Sequence, residues 1–249
     1  MKLITEDFLR KDKNLKDTEY EVEEGVIVTP SAKQYLAEKK IKLVYKKKQL
    51  MENEKVEETE KPSQAYKPKY VHINGGYFEN KPEEMTQLYG NKLVYKDNKR
   101  IILRGKLDSL QAKIMEVQVQ CKLLKEAAVV KDLEDTLSFV RKILACEVVG
   151  NEFVFESLIG LNSDELRAYS HNPKKHIGVE HIIFPSIDMG TVVIYLNALR
   201  AQSREVEISA YQAFRDDNGE SARKDITMAL NRLSSCYYVM MCKFMANKY

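Results

Sequence analysis

The sequence predicts an all-α protein, a bundle of about five helices, with a small α+β appendage at its amino end. Three observations predict it. From Arg104 onward, apolar residues recur at the three-and-four spacing of a helix face in one stretch after another. Strand signals are confined to the amino end of the chain. Between the two lies "KKKQLMENEKVEETEKPSQAYKPKY", a run with both signs of charge, two prolines and too few apolar residues to join a core. The boundaries follow: an appendage over 1–45, a polar linker over 46–70 and a helical domain over 71–249.

In the appendage, Val26–Val28 reads as a short strand. Thr29 and Pro30 form a helix start, a hydroxyl cap followed by proline at the first helical position. "SAKQYLAEKK" continues that helix, and "IKLVY" reads as a second strand. The first long helix, "GKLDSLQAKIMEVQVQCKLLKEA", puts Leu107, Leu110, Ile114, Val117, Cys121 and Leu124 on one face. "KDLEDTLSFVRKILACEVV" does the same with Leu133, Leu137, Val140 and Leu144. "NSDELRAYSHNP" opens on a capping residue and closes before Pro173. "DMGTVVIYLNALRAQSREVEISAYQAFRD" is the next long helix, and "RKDITMALNRLSSCYYVMMCKFMAN" the last. In the last, Leu230, Leu233, Tyr237, Met240 and Phe244 form one stripe, and Cys236–Met241 is apolar on nearly every side, as in an inner element. Its first turns nevertheless carry Asn231, Arg232, Ser234 and Ser235. An unpartnered buried amide costs roughly 2–7 kcal/mol, so this reading expects Asn231 to be bonded.

Composition narrows the function. The chain holds 40 Lys+Arg against 37 Asp+Glu, a net charge too small to argue for a nucleic-acid partner. "MKLITEDFLRKDKN" lacks the apolar core of a signal peptide, and nowhere does an apolar run reach the roughly 18 residues a bilayer span needs. A cytoplasmic protein with no membrane partner is expected. Cys121, Cys146, Cys236 and Cys242 are scattered through apolar helical patterns without a C-x-x-C pair, so they read as reduced core thiols.

Arg200, Arg204, Glu207 and Tyr211 fall within a wedge of roughly 60° on one helix, and two arginines four apart repel unless an anion lies between them. A solvated charged face and an anion clamp both fit this spacing; guanidinium forks suit phosphate oxygens. Asn231, Ser234 and Ser235 offer a polar patch on the next helix, and Asp108 is placed to orient one arginine.

These residues also carry a resemblance. "RAQSREVE" and "LNRLSS" resemble the two signature stretches of the PduO-type ATP:cob(I)alamin adenosyltransferases, R-x-x-x-R-x-x-E on one helix and N-R-L-S-D on the next. "TQLYGNKLVYKDNKRIILRGKLDSLQA" (Thr86–Ala112) is similar to the family's amino-terminal run. Within that superfamily "TPSAKQYL", "YSHNP" and "ALNRLSS…YVMM" resemble the ethanolamine-utilization cobalamin adenosyltransferases, so the likeness covers essentially the whole chain. It implies the helical bundle of that family and transfer of the 5′-deoxyadenosyl group of ATP onto cob(I)alamin. By position it implies that Arg200, Arg204 and Asn231 contact ATP and that Glu207 is the motif glutamate. It further implies that Asp108 salt-bridges a motif arginine, and that Thr86 and Lys92 lie near the triphosphate. Cob(I)alamin is a strong nucleophile, so no general base is required, and the sequence offers no Ser-His-Asp triad. The resemblance also implies an apolar wall beneath the corrin, for which Phe184 in "HIIFPS" is the candidate, and a homo-oligomer with sites between subunits, a trimer in preference to a dimer. Mg²⁺ arrives with ATP. A flavin reductase and ethanolamine ammonia-lyase are the implied partners, and the interior of a bacterial microcompartment an implied location.

The sequence departs from the family in places. Many ethanolamine-type members carry a histidine and a C-C-x-x-C cluster ahead of the bundle. Here "KYVHINGGYFENKPEEMTQL" holds His72 and no cysteine, so no thiolate site can be built there and no iron or zinc cluster is expected. The T-x-x-G-D-x-G phosphate loop is missing, with only Gly75 and Gly76 in its place. Ser235 stands for the final aspartate of N-R-L-S-D and Glu205 for an arginine. His171, His176 and His181 recur every five residues, a period that fits no helical face, and read as surface or loop-capping residues. Two other functions remain open to the sequence: a non-catalytic carrier or sensor that binds ATP or cobalamin, and a structural interaction bundle of a microcompartment.

Overall fold

The computed structural model describes residues 3–12, 19–23, 26–46 and 68–249, and the chain divides into two units, Met1–Gln64 and Ala65–Tyr249. Most of the expected linker, 47–67, lies outside the described residues.

The first unit runs β1 (Leu3–Ile4), α1 (Glu6–Lys11), β2 (Glu19–Glu23), β3 (Ile27–Val28), α2 (Pro30–Glu38) and β4 (Lys42–Lys46). β1 pairs parallel with β3, and β2 parallel with β4. The Thr29 hydroxyl accepts the Ala32 amide at 3.3 Å, with Pro30 at the first helical position, so the start of α2 is the one its sequence dictates. Leu9, Tyr20, Val22, Val28, Ala32 and Leu36 form the unit's own core.

The second unit opens with four strands, β5 (Tyr70–His72), β6 (Tyr77–Phe78), β7 (Met85–Tyr89) and β8 (Lys92–Tyr95), in the order β6-β5-β8-β7. β5 and β8 are parallel and the other pairs antiparallel. Helices follow: α3 (Lys99–Leu123), α4 (Ala127–Val149), α5 (Ser163–His171), α6 (Pro173–His176), α7 (Thr191–Phe214) and α8 (Lys224–Met245). The label all-α therefore needs correcting. The body is helical, but residues 70–95 form a sheet whose short alternating strands turn at Gly90, in left-handed backbone (φ 51°).

Side-chain bonds fix the helix directions. Gln118 donates to Glu134 at 2.9 Å and Arg100 to Glu147 at 2.6 Å, so α3 and α4 run antiparallel. Lys243 reaches Asp132 at 2.9 Å, while Arg223 just ahead of α8 donates to the Asn151 carbonyl just beyond α4, at 2.7 Å. α8 is thus antiparallel to α4. α7 packs against both α3 and α8, and the segment carrying α5 and α6 is the long crossover that brings α7 back parallel to α4.

The apolar stripes are buried as their period requires. Leu107, Leu110, Ile114, Val117 and Cys121 of α3 are inaccessible, and so are Leu133 and Val140 of α4; Leu144 is half-buried. Leu124 is an exception, 45% exposed. α3 ends one residue earlier, where Lys125 turns left-handed (φ 64°) and Glu126 N–H donates to the Cys121 carbonyl at 3.0 Å. α8 is buried on one face in its first half. From Cys236 to Cys242 it is enclosed almost all round by α4, α5 and α7, and within that stretch only Tyr238 is partly exposed.

Candidate functional site

α7 and α8 meet along Leu196, Leu199, Val206 and Ala210 on one side and Leu230, Leu233 and Tyr237 on the other. Ser203 and Ser209 of α7 are buried as well, and the Ser203 hydroxyl donates to the Arg200 carbonyl at 2.8 Å. At the edge of this seam stand the residues singled out from the sequence. Asn231 is exposed, not buried, because α8 turns its polar side to solvent in its first half. Its amide is nonetheless bonded: it donates to Glu207 Oε1 at 2.9 Å and accepts from Arg232 Nη1 at 2.8 Å, and Arg232 in turn donates to Ser163 Oγ at 3.0 Å. The Ser234 and Ser235 hydroxyls fold back onto the Asn231 carbonyl at 2.9 and 3.4 Å.

The two arginines differ. Arg200 donates through Nε and Nη2 to Asn197 Oδ1, at 3.1 and 3.0 Å, and is half-buried. Arg204 is exposed and makes no hydrogen bond or ion pair among the described residues. Both open onto a cleft of about 450 Å³, with Ser234 and Ser235 from α8 beside them. The rest of the lining is one that sequence reasoning missed: Ser170 and His171 from the end of α5, His181 from the crossover and Tyr238 from α8. The Tyr238 hydroxyl lies 3.0 Å from His181 Nδ1 and accepts the Ile182 amide at 3.0 Å, while His181 Nε2 is 2.9 Å from the His171 carbonyl. The available signals were slight: Tyr238 stands one turn beyond Ser234, and two of the five-spaced histidines come together here. The third, His176, stacks on Tyr169 instead, centroids 4.6 Å apart. Just past His181, Phe184 is 84% exposed and flanked by exposed Ile183 and Ile187.

The remaining predicted residues do not line this cleft. Thr86 on β7 and Lys92 on β8 belong to the sheet, which the side chains of α3 tie to the bundle. Arg104 donates to the Leu88 carbonyl at 2.9 Å and also to Glu147, a fully buried carboxylate that Arg100 holds from the other side. The Arg100 guanidinium lies 6.0 Å from the Phe214 ring, at the far end of α7. That end is roughly 20 Å along the helix from Arg200. Asp108 on α3 is exposed and makes no ion pair among the described residues, so within one chain it does not bind a motif arginine.

A second hollow of about 640 Å³ lies at the other end of the bundle, but both of its cations are already paired and its lining carries more carboxylates than cations. Arg223 pairs with Asp225 at 2.8 Å and Lys224 with Glu220 at 2.7 Å. Burial opposes ionisation of Asp225, yet bonds from Arg223 and from the Phe153 and Ile226 amides hold its pKa below the usual value. The smaller cleft, with an uncompensated arginine, is the better anion site. Cys121, Cys146, Cys236 and Cys242 are free thiols, and burial pushes the Cys121 and Cys242 pKa values up to about 11. Cys121, Cys236 and Cys242 are buried, unreactive core groups, and Cys146 is half-buried. Among the described residues no three His, Cys, Asp or Glu side chains gather as a metal site would need.

Residues 76–244, which hold this bundle and its cleft, match the cobalamin adenosyltransferase family. The chain belongs to it. It is 35% identical over 161 residues to the corrinoid adenosyltransferase EutT of Salmonella typhimurium and 33% identical to EutT of Escherichia coli. Each match covers 65% of this chain and 58% of the relative, so the chain spans less than two thirds of the length of these proteins. No solved structure matches. No helix among the described residues is long and apolar enough to cross a membrane.

Proposed function

We propose that the chain is a corrinoid adenosyltransferase that moves the 5′-deoxyadenosyl group of ATP onto cob(I)alamin. The adenosylcobalamin formed would serve ethanolamine ammonia-lyase in ethanolamine utilization. The observation that carries this reading is Arg204, a guanidinium with no partner among the described residues, opening beside Arg200 on a cleft in the stretch matched by the family. In the reaction the cobalt lone pair attacks C5′, the cobalt–carbon bond forms, and the C5′–O bond breaks as triphosphate leaves with its electron pair. No proton moves at carbon. The protein's work is to align the two substrates and to neutralise the departing charge, which Arg200 and Arg204 do here, while Glu207 and Asn231 brace each other at the rim of the site.

The chain works as a homo-oligomer, a trimer, in which Asp108, Thr86 and Lys92 of a second copy complete the cleft. Asp108 and Arg204 are each exposed and make no ion pair among the described residues, which supports this. α3 also turns an apolar stripe of Met115, Val119 and Leu123 outward. ATP binds with Mg²⁺. The stretch ahead of the bundle holds no cysteine, so no iron or zinc cluster is needed, and activity is expected to survive metal removal once Mg²⁺ is restored. Phe184 contributes to the apolar wall under the corrin. A flavin reductase supplies the reduced cobalamin, and the enzyme works in the cytoplasm inside a microcompartment. The test is the absorbance change on cobalt–carbon bond formation, with Arg204→Ala and Asn231→Ala beside the wild type. Full activity in both variants removes the assigned site.

A further inference from the structure

Ile183, Phe184 and Ile187 lie on the segment that leaves the cleft at His181 and ends at Gly190, where α7 begins. Ile182 and Met189 pack on the core at the two ends of this segment, but Ile183, Phe184 and Ile187 between them point to solvent. At its start, two side-chain bonds converge on one phenol, beside the His181–His171 bond and the packing of Ile182. His181 Nε2 faces a carbonyl, which can only accept, so in the neutral ring Nε2 carries the proton and Nδ1 accepts from Tyr238 O–H. The same oxygen accepts the Ile182 amide. The two rings lie nearly parallel, 26° apart, with centroids at 6.2 Å. Tyr238 also lines the cleft with Arg200 and Arg204.

We propose that Tyr238 is a positioning residue: by fastening His181 and Ile182 it fixes the apolar segment Ile183–Ile187 relative to the arginine cleft. A flat macrocycle resting on that segment is then held at one offset from a polyphosphate on Arg200 and Arg204. The inference rests on the adenosyltransferase reading. Its force comes from geometry, because reacting atoms must meet at about 3–3.5 Å and a misplacement of about 1 Å costs on the order of a hundredfold in rate.

The experiment compares the full chain with Tyr238→Phe, which keeps the ring and removes both bonds. It adds His181→Ala and His181→Asn, whose Oδ1 stands where Nδ1 stood. Three readouts are taken: hydrogen exchange of the 181–189 amides without ligand, equilibrium titration with cob(II)alamin, and KM and kcat for ATP and cob(I)alamin. Losing one hydrogen bond of ordinary strength changes an equilibrium about tenfold. Tyr238→Phe is therefore expected to exchange about tenfold faster at Ile182, to weaken cob(II)alamin binding and raise the corrinoid KM by about tenfold, and to leave the ATP KM within about twofold. His181→Asn recovers most of what His181→Ala loses. Unchanged exchange and corrinoid affinity in Tyr238→Phe overturn the proposal. A parallel loss for both substrates with a lowered melting point also overturns it, because that marks a merely structural role. A wild-type chain that makes no adenosylcobalamin overturns the functional reading instead, and the exchange and cob(II)alamin arms still decide the role of Tyr238.

Discussion

Arg204 and Arg200 share a motif but not an environment. Arg200 spends two donors on Asn197, whereas the Arg204 fork makes no bond among the described residues. An exposed guanidinium gains little from holding still, so its free fork is worth most when an anion arrives. Arg204→Ala is expected to lower kcat by about 10²–10³, the loss typical of removing one donor to developing charge. Arg204→Lys restores only part of it, because a point charge replaces a fork. Asn231→Ala leaves Glu207 and Arg232 without their shared partner; about a tenfold loss in kcat/KM corresponds to one hydrogen bond of ordinary strength. Both follow from the cobalt–carbon absorbance assay. At this scale the sequence showed the arginine spacing plainly, since a 3.6-residue period places Arg200 and Arg204 together. It did not show that Asn231 is exposed, because α8 is apolar all round only from Cys236 onward. Nor did it show Tyr238 and His181, which only the fold of the crossover brings together.

Between elements, the joints are ionic. Glu147 is fully buried between Arg100 and Arg104, and Arg104 also holds the Leu88 carbonyl of β7. Glu147→Ala leaves two guanidiniums without their carboxylate in a mostly buried setting. The expected cost is about 3–5 kcal/mol, the usual penalty for breaking such a pair, read as a lower denaturation midpoint with faster exchange in β7. Asp225 provides a pH test. Its pKa is lowered in the folded chain, so its contribution is present above the ordinary carboxylate value and is lost as pH falls through the lowered one. Wild-type stability should therefore be level at neutral pH and decline below about pH 4. Asp225→Asn should be less stable at neutral pH and flatter in that acid range, as thermal midpoints will show. The long helices were legible because each repeats its apolar period over many turns. The sheet over 70–95 was not, because strands of two to five residues offer too few alternations to register as a period.

For the whole molecule the question is whether one chain contains a complete site. Thr86, Lys92 and Asp108 share a sequence stretch that resembles the family, yet none lines the cleft of its own chain. Sequence order cannot reveal this, because a motif reads the same whether it acts within a chain or across to a neighbour. If Asp108 meets Arg204 across a symmetric interface, then Asp108→Asn and Arg204→Ala should each be nearly inactive alone. Mixed and reassembled in equal amounts, they should regain activity. In a random assembly, roughly a quarter of interfaces pair an intact Arg204 from one copy with an intact Asp108 from the next, so the mixture should recover up to about that share of wild-type activity. Two variants that damage a site held within one chain cannot complement in this way. Val119→Glu on the outward stripe of α3 adds an independent arm, since a charge in an apolar interface should shift the assembly toward monomers and lower activity with it, read by sedimentation. Recovery on mixing, lost again when Val119→Glu is placed in both partners, is the result expected of a cleft shared between copies.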